Sequence, residues 1–374
     1  MVVGRWVKIA LGVSLVFLML GCGREKAKTG YELGREYFLA SEYTQAMIRL
    51  ESWVQKKKNP NLPEAHAMLA VIYHDMDNRK AEYEREISIL KGYGDEGMGA
   101  VVKLVENPTI ASRLQENIDD ILVKGGSSSV GPLINALKNP NWRLKVHAHQ
   151  ALIKVGQPAV PALINALNSP DSYTKSMAID ALSKIDAKSA EPMIQQKLND
   201  PDKLVKVSAA VALYTMGKTD SADIVIGGLK DPTVDVRRIS AKAMAEIFNY
   251  PPAYKMIALI KDPDPDVRNY ATIALGKIKS EGAVPMLVKE MTNDKDAQVR
   301  SSAGNALEAI GTPSVEPLIS LLKSTNDMEL IIRVAQILGN IGDKRAVESM
   351  ESAYKREKRD MVKNEIAKAL NKID

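Results

Sequence analysis

The chain has 374 residues, of which 45% are hydrophobic and 26% charged, and a formal net charge of +5. Such a composition can bury a substantial core and excludes a disordered polymer, and the 5% aromatic content suits helix packing by Leu, Ile, Val and Ala. Acids and bases alternate along the chain, which argues against the dense basic face of a DNA or RNA binder, so no nucleic acid is expected as a partner.

Residues 1–22, MVVGRWVKIALGVSLVFLMLGC, place Arg5 and Lys8 ahead of a 12-residue apolar run that closes on Gly21 and Cys22. This is the layout of a secretory signal peptide. The run falls short of the roughly 20 apolar residues that a membrane-crossing helix needs. The ending LMLGC resembles the lipobox of a bacterial lipoprotein, although Met19 and Leu20 depart from the commonest choice of Leu followed by a small residue. The resemblance implies that Cys22 is lipidated after cleavage, and that Gly23 rather than Asp directs the chain to the outer membrane where the cell has two. The chain is therefore expected in the bacterial envelope, outside the cytoplasm, held by acyl chains contributing about 0.8 kcal/mol per buried CH₂. Cys22 is also the only cysteine, so the mature chain forms no internal disulfide. Removing residues 1–22 leaves 49 basic against 46 acidic residues, a net +3.

Residues 23–30, GREKAKTG, read as a short polar tether. From Tyr31 the sequence YELGREYFLASEYTQAMIRLESWV resembles a tetratricopeptide repeat through Leu33, Gly34, Tyr37, Ala46, Leu50 and Trp53. A weaker second copy follows through Leu69, Ala70 and Tyr73, giving one or two helix pairs over 31–97. Six of the twelve tyrosines fall here; they suit core packing between paired helices, or alternatively a groove for a peptide. The run GYGDEGMG at 92–99 holds four glycines and marks a boundary before residue 98.

The rest, 98–374, repeats. The last apolar residue before each turn falls at Val105, Leu137, Leu167, Leu198, Leu229, Ile260, Met291, Leu322 and Tyr354, at steps of 30 to 32 residues. A period of that length means a solenoid of about nine helical hairpins. Pro108, Pro140, Pro170, Pro201, Pro232 and Pro263 stand three residues after the anchor and end the first helix. Thr109, Asn141, Asp171, Asp202, Thr233 and Asp264 follow as expected N-caps of the second. Within that helix Ala271, Ala274 and Leu275 recur as Ala148, Ala151 and Leu152 and as Ala303, Ala306 and Leu307, an apolar stripe at helical spacing. The pattern resembles the HEAT repeat in its short, phycobilisome-lyase form, as in DPDPDVRNYATIALGKI at 262–278. The expected fold is an all-α, right-handed α-solenoid of HEAT-like hairpins behind a tetratricopeptide-like segment.

A basic residue opens each second helix at Lys145, Lys175, Lys206, Arg237, Arg268 and Arg300, lapses at Ile331 and returns at Lys363. The HEAT resemblance implies a ladder in which these cations pair with turn acids, and Asp235 and Asp266 stand where it expects them. A cationic stripe for lipid headgroups or phosphate is the competing reading. Trp142, in the turn NPNWRLK, is a candidate partner contact. The seventh, eighth and ninth units have Asp294, Thr325 and Glu357 where earlier units have the turn proline, consistent with atypical terminal repeats.

The chain shows no HExxH pair, phosphate-binding glycine loop or GxSxG elbow. His66, His74, His147 and His149 are not followed by Glu, so the repeated His-Glu pairs of the HEAT-like deoxyhypusine hydroxylases are missing, and a bilin lyase does not suit a secreted chain. No catalytic residue, cofactor or metal is expected. The reading is a non-catalytic scaffold for a protein or peptide partner in the envelope. Its alternatives are an envelope structural protein that binds a polymer or lipid headgroups, and an enzyme with an unrecognised site.

Overall fold

A computed structural model of the chain describes residues 28–56, 59 and 61–373, and the regular elements among them are helices. The signal segment with Cys22, and most of the tether, lie outside the described residues. Two compact units divide after Pro132.

The first unit holds α1 (Gly30–Leu39), α2 (Tyr43–Val54), α3 (Leu62–His74), α4 (Lys80–Gly92), α5 (Asp95–Leu104), α6 (Pro108–Gly125) and the start of α7 (Ser127–Leu137). A capping box opens α1, where Thr29 Oγ1 accepts from the Glu32 amide at 3.2 Å and the Glu32 carboxylate accepts from the Thr29 amide at 2.7 Å. Gly34 brings α1 down onto α2, since a Cβ there would stand 2.8 Å from the Leu50 side chain. Nearly all of α3 from Ala65 to Tyr73 is buried, which follows from a helix that is apolar on every side. The glycine run 92–99 forms the turn from α4 into α5, and the division between the compact units falls later, within α7.

The second unit continues with α8 (Trp142–Val155) and then alternates short first helices with longer second ones. The first helices are α9 (Val160–Ala166), α11 (Glu191–Gln196), α13 (Ala222–Gly228), α15 (Ala253–Leu259), α17 (Val284–Asn293), α19 (Val315–Ser324) and α21 (Val347–Arg356). The second helices are α10 (Ser172–Lys184), α12 (Lys203–Thr215), α14 (Val234–Glu246), α16 (Pro265–Lys277), α18 (Ala297–Ile310), α20 (Met328–Ile341) and α22 (Asp360–Leu370). The array is an all-α solenoid, and consecutive second helices pack side by side.

Its core is the alanine and leucine stripe. Ala148, Ala151 and Leu152, like Ala271, Ala274 and Leu275, are fully buried, each such leucine being worth about 1.5–3 kcal/mol over exposure. The small residues let backbones approach. A Cβ on Gly276 of α16 would lie 2.8 Å from Ala306 Cα on α18, and one on Gly339 of α20 would lie 2.7 Å from the Ala369 carbonyl oxygen on α22.

The expected caps hold at Asn141, Asp171, Asp202 and Asp264, whose side chains accept from the first-turn amides of α8, α10, α12 and α16. Thr233 occupies the cap position of α14 without a side-chain bond. Thr109 is not a cap. Asn107 takes that place for α6 and accepts from the Thr109 and Ile110 amides at 3.0 and 3.2 Å, because Pro108 fits the first helical position, where no amide hydrogen is needed.

Candidate partner-binding surface

The turn before each second helix of the array is braced from within. Two residues ahead of the cap, Asp200, Asp231, Asp262 and Asp294 each accept the cap residue's amide at 2.8–3.0 Å. A carboxylate has two oxygens and about four acceptor sites, so it can also receive a cation from the preceding hairpin. Arg237 on α14 meets Asp262 through Nε at 2.8 Å and Nη2 at 3.0 Å. Arg268 on α16 meets Asp294 at 2.8 and 2.9 Å, and Lys175 on α10 meets Asp200 at 2.8 Å. Lys145 reaches Asp171 at 3.3 Å.

The acids of this ladder are therefore Asp262 and Asp294, not Asp235 and Asp266. Those two are the second residues of α14 and α16. Asp266 lies 3.4 Å from Arg238, while Asp235 accepts from the Tyr173 hydroxyl and lies 3.4 Å from Arg238. The physical reason is direction: the basic side chain reaches forward into the next hairpin's turn, about 25 residues on, so its acid cannot belong to its own helix. Arg238 makes a parallel fork to Asp264, at 3.0 and 2.5 Å, that the sequence pattern did not reveal.

Besides the lapse at Ile331, two cations that face a further hairpin go without a ladder acid. At Lys206 the acid is present, but Asp231 is taken by Lys203 at 2.9 Å, and Lys206 has no carboxylate partner among the described residues. At Arg300 the acid itself is missing, since the residue two before the next cap is Thr325.

Electrostatics follow the pairing. Burial works to raise the Asp294 carboxyl, but hydrogen bonds from Arg268 and Glu290 outweigh it and hold the group down at about 2. Burial and the hydrogen bond to Asp294 push Glu290 up to about 7. The fork from Arg238 holds Asp264 below the usual carboxylate range.

Two exposed aromatics open second helices of the array. Trp142 is the first residue of α8 and is 59% exposed, and Tyr173, one position further into α10, is 43% exposed with Lys145 Nζ 5.9 Å from its ring centre. Tyr250 and Tyr254, around the start of α15, are 92% and 70% exposed. Each compact unit also carries a depression. An open cleft of about 790 Å³ lies between α17, α18, α19 and α20, with Arg300 and Arg333 on its walls. In the first unit a groove of about 230 Å³ is floored by Phe38, Met68, Leu104 and Ile110 and rimmed by Arg35, Glu64 and Lys103.

The histidines do not converge. His66 pairs with Glu86 at 2.5 Å, His74 with Asp75 at 2.6 Å, and His149 with Asp180 at 2.8 Å. No group of three His, Cys, Asp or Glu side chains among the described residues could hold a metal ion, and no described helix is long and apolar enough to cross a membrane.

HEAT repeats match residues 160–246 and 253–330. Those two stretches carry HEAT repeats, within the all-α solenoid described above. Among solved structures it is similar to an engineered protein, at 20% identity over 87% of this chain and 98% of that one, with a TM-score of 0.42. It is similar to Escherichia coli YibA at 21% identity, over 65% of this chain and 91% of that one, with a TM-score of 0.47. A Kap121p mutant, 12% identical, aligns over 87% of this chain and 45% of its own with a TM-score of 0.50, so this repeat protein spans under half of Kap121p. A likeness at that identity is one of fold. Comparison with curated proteins gives no match.

Proposed function

We propose that this HEAT-like repeat protein is a non-catalytic scaffold that binds a protein or peptide partner, tethered in the bacterial envelope through a lipidated Cys22. HEAT-like solenoids commonly serve as protein-binding scaffolds, and the observation that carries the reading here is Trp142. A tryptophan left 59% exposed at the start of a helix, with Tyr173 half-exposed at the start of the next second helix, is the kind of side chain that anchors an interface. Asp262 and Asp294, in later turns of the array, are engaged by ladder arginines, which suits a structural surface. The lipoprotein reading rests on the sequence around Cys22, and the short-form repeat resemblance rests on the turn motifs.

The test uses the full chain in its native membranes. Crosslinking is expected to capture a defined protein partner, and Trp142→Ala to reduce that capture at least tenfold. Co-sedimentation with cell-wall polymer in place of protein capture, independent of Trp142, would overturn the scaffold reading. Cys22→Ala is expected to release the chain from membranes or leave it uncleaved; normal cleavage with retained membrane association would overturn the anchor.

A further inference from the structure

The gap at Arg300 has a template in its own chain. In Arg237 and Arg268, Nη1 is held by two carbonyl oxygens of the turn beneath, and the Nε–Nη2 edge forks onto the next hairpin's Asp. Arg300 repeats the first half of that arrangement, with Nη1 donating to the Asp294 and Lys295 carbonyls at 2.8 and 3.2 Å. The second half is missing. No acceptor meets its Nε or Nη2 among the described residues, because Thr325 stands where Asp262 and Asp294 stand in the preceding turns. Thr325 Oγ1 still braces the turn, accepting the Asp327 amide at 3.2 Å. It supplies the structural function of the ladder acid without its charge.

We infer that the Arg300–Thr325 gap is a binding site for a carboxylate, the Asp or Glu side chain of an acidic segment in a protein partner. The inference rests on the scaffold reading and names the partner's chemistry. A guanidinium fork of this geometry matches a planar carboxylate with two parallel hydrogen bonds, and the cleft beside it is open enough to admit one. Arg333 brings a second positive charge to the cleft, with Nη2 on Asn305 and 3.5 Å from the Ser301 carbonyl oxygen. Two acids also line the cleft. Asp327 is committed to capping α20 through the Leu330 amide at 2.8 Å, and Glu329 is an exposed rim residue, so neither occupies the fork. The incoming carboxylate would take the place held inside the array by Asp262 and Asp294.

Thr325→Asp tests this directly, since it places the array's own acid in the gap while keeping the turn brace. The probe is an end-blocked tetraglutamate peptide titrated into the full chain, with tetraglutamine and glutarate as controls and thermal unfolding as a second readout. Tetraglutamate is expected to bind at least tenfold more tightly than tetraglutamine, and both Thr325→Asp and Arg300→Gln to weaken it at least fivefold. Thr325→Asp alone should raise the unfolding midpoint. Tetraglutamate binding that both variants leave unchanged, or no binding at millimolar peptide, would overturn the site. Glutarate binding as tightly as the peptide would overturn the assignment to a protein segment. If the crosslinked partner is retained by Thr325→Asp but lost by Trp142→Ala, the scaffold reading stands and this inference falls.

Discussion

Arg268 on α16 forks onto Asp294 at the foot of the next hairpin, 2.8 and 2.9 Å away, and the Asp294 side chain is only 4% exposed. Partly buried charge pairs of this kind are costly to break because the remaining partner is left without compensation. Asp294→Asn keeps an oxygen for the Asp296 amide but loses the charge, and is expected to cost about 1–3 kcal/mol in urea unfolding. Asp266→Asn removes an acid that is 62% exposed and outside the ladder; it should change stability by no more than about 0.5 kcal/mol. Equal costs for the two would contradict the pairing described above.

Gly276 offers a test of the close helix approach that runs against propensity. In an isolated helix Gly→Ala stabilises by up to about 1 kcal/mol, yet here the added methyl would stand 2.8 Å from Ala306 Cα and 2.9 Å from its Cβ. Backbone cannot yield as a flexible side chain would, so Gly276→Ala is expected to destabilise by about 1–3 kcal/mol. Gly282→Ala meets no atom within 4 Å and serves as the control. A stabilised Gly276→Ala would show that α16 and α18 separate at little cost.

The repeat was legible in the sequence because one physical rule recurs in every unit: an apolar anchor, a break, a cap and an alanine stripe. What escaped was which acids join one unit to the next. Counted from the anchors, Asp294 falls on the turn proline's position. Counted from Arg300 it matches Asp262, because the step from anchor to cation is nine residues from Met291 to Arg300 against eight from Ile260 to Arg268, which shifts the turn by one. The ladder acids therefore look irregular in a linear count and regular in space. In the linear pattern Thr325 marks the loss of a proline, whereas its consequence in space is the loss of a charge opposite Arg300. The buried His66–Glu86 pair was equally hidden, since twenty residues separate its members and neither carries a motif.

Glu290 gives the array a pH dependence of definite sign. Burial, then its hydrogen bond to and charge repulsion from Asp294, raise its carboxyl from the usual 4.5 to about 7. The folded chain thus holds this proton more tightly than the unfolded chain, and the stability it contributes is present below pH 4.5 and declines as pH rises through 7. With the side chain only partly buried, screening reduces the effect to about 1 kcal/mol. Denaturant midpoints of the wild type at pH 5 and pH 8 should differ by that much more than those of Glu290→Gln, which can still donate to Asp294. Identical pH profiles for the two proteins would refute the coupling.

In the first unit, Glu86 is 1% exposed and lies 2.5 Å from His66 Nδ1, with Arg85 Nη2 at 3.4 Å as its other charged neighbour. Burying a carboxylate among apolar helices is unfavourable unless it is hydrogen-bonded, so the pair survives only because each member satisfies the other. Glu86→Ala strands the imidazole and opens a void, and is expected to cost about 3 kcal/mol. Glu86→Gln keeps size and an acceptor and should cost nearer about 1 kcal/mol. A double-mutant cycle with His66→Ala isolates the interaction: coupling above about 1 kcal/mol is expected for a pair in direct contact, whereas additive costs would mean that each residue is held by packing alone.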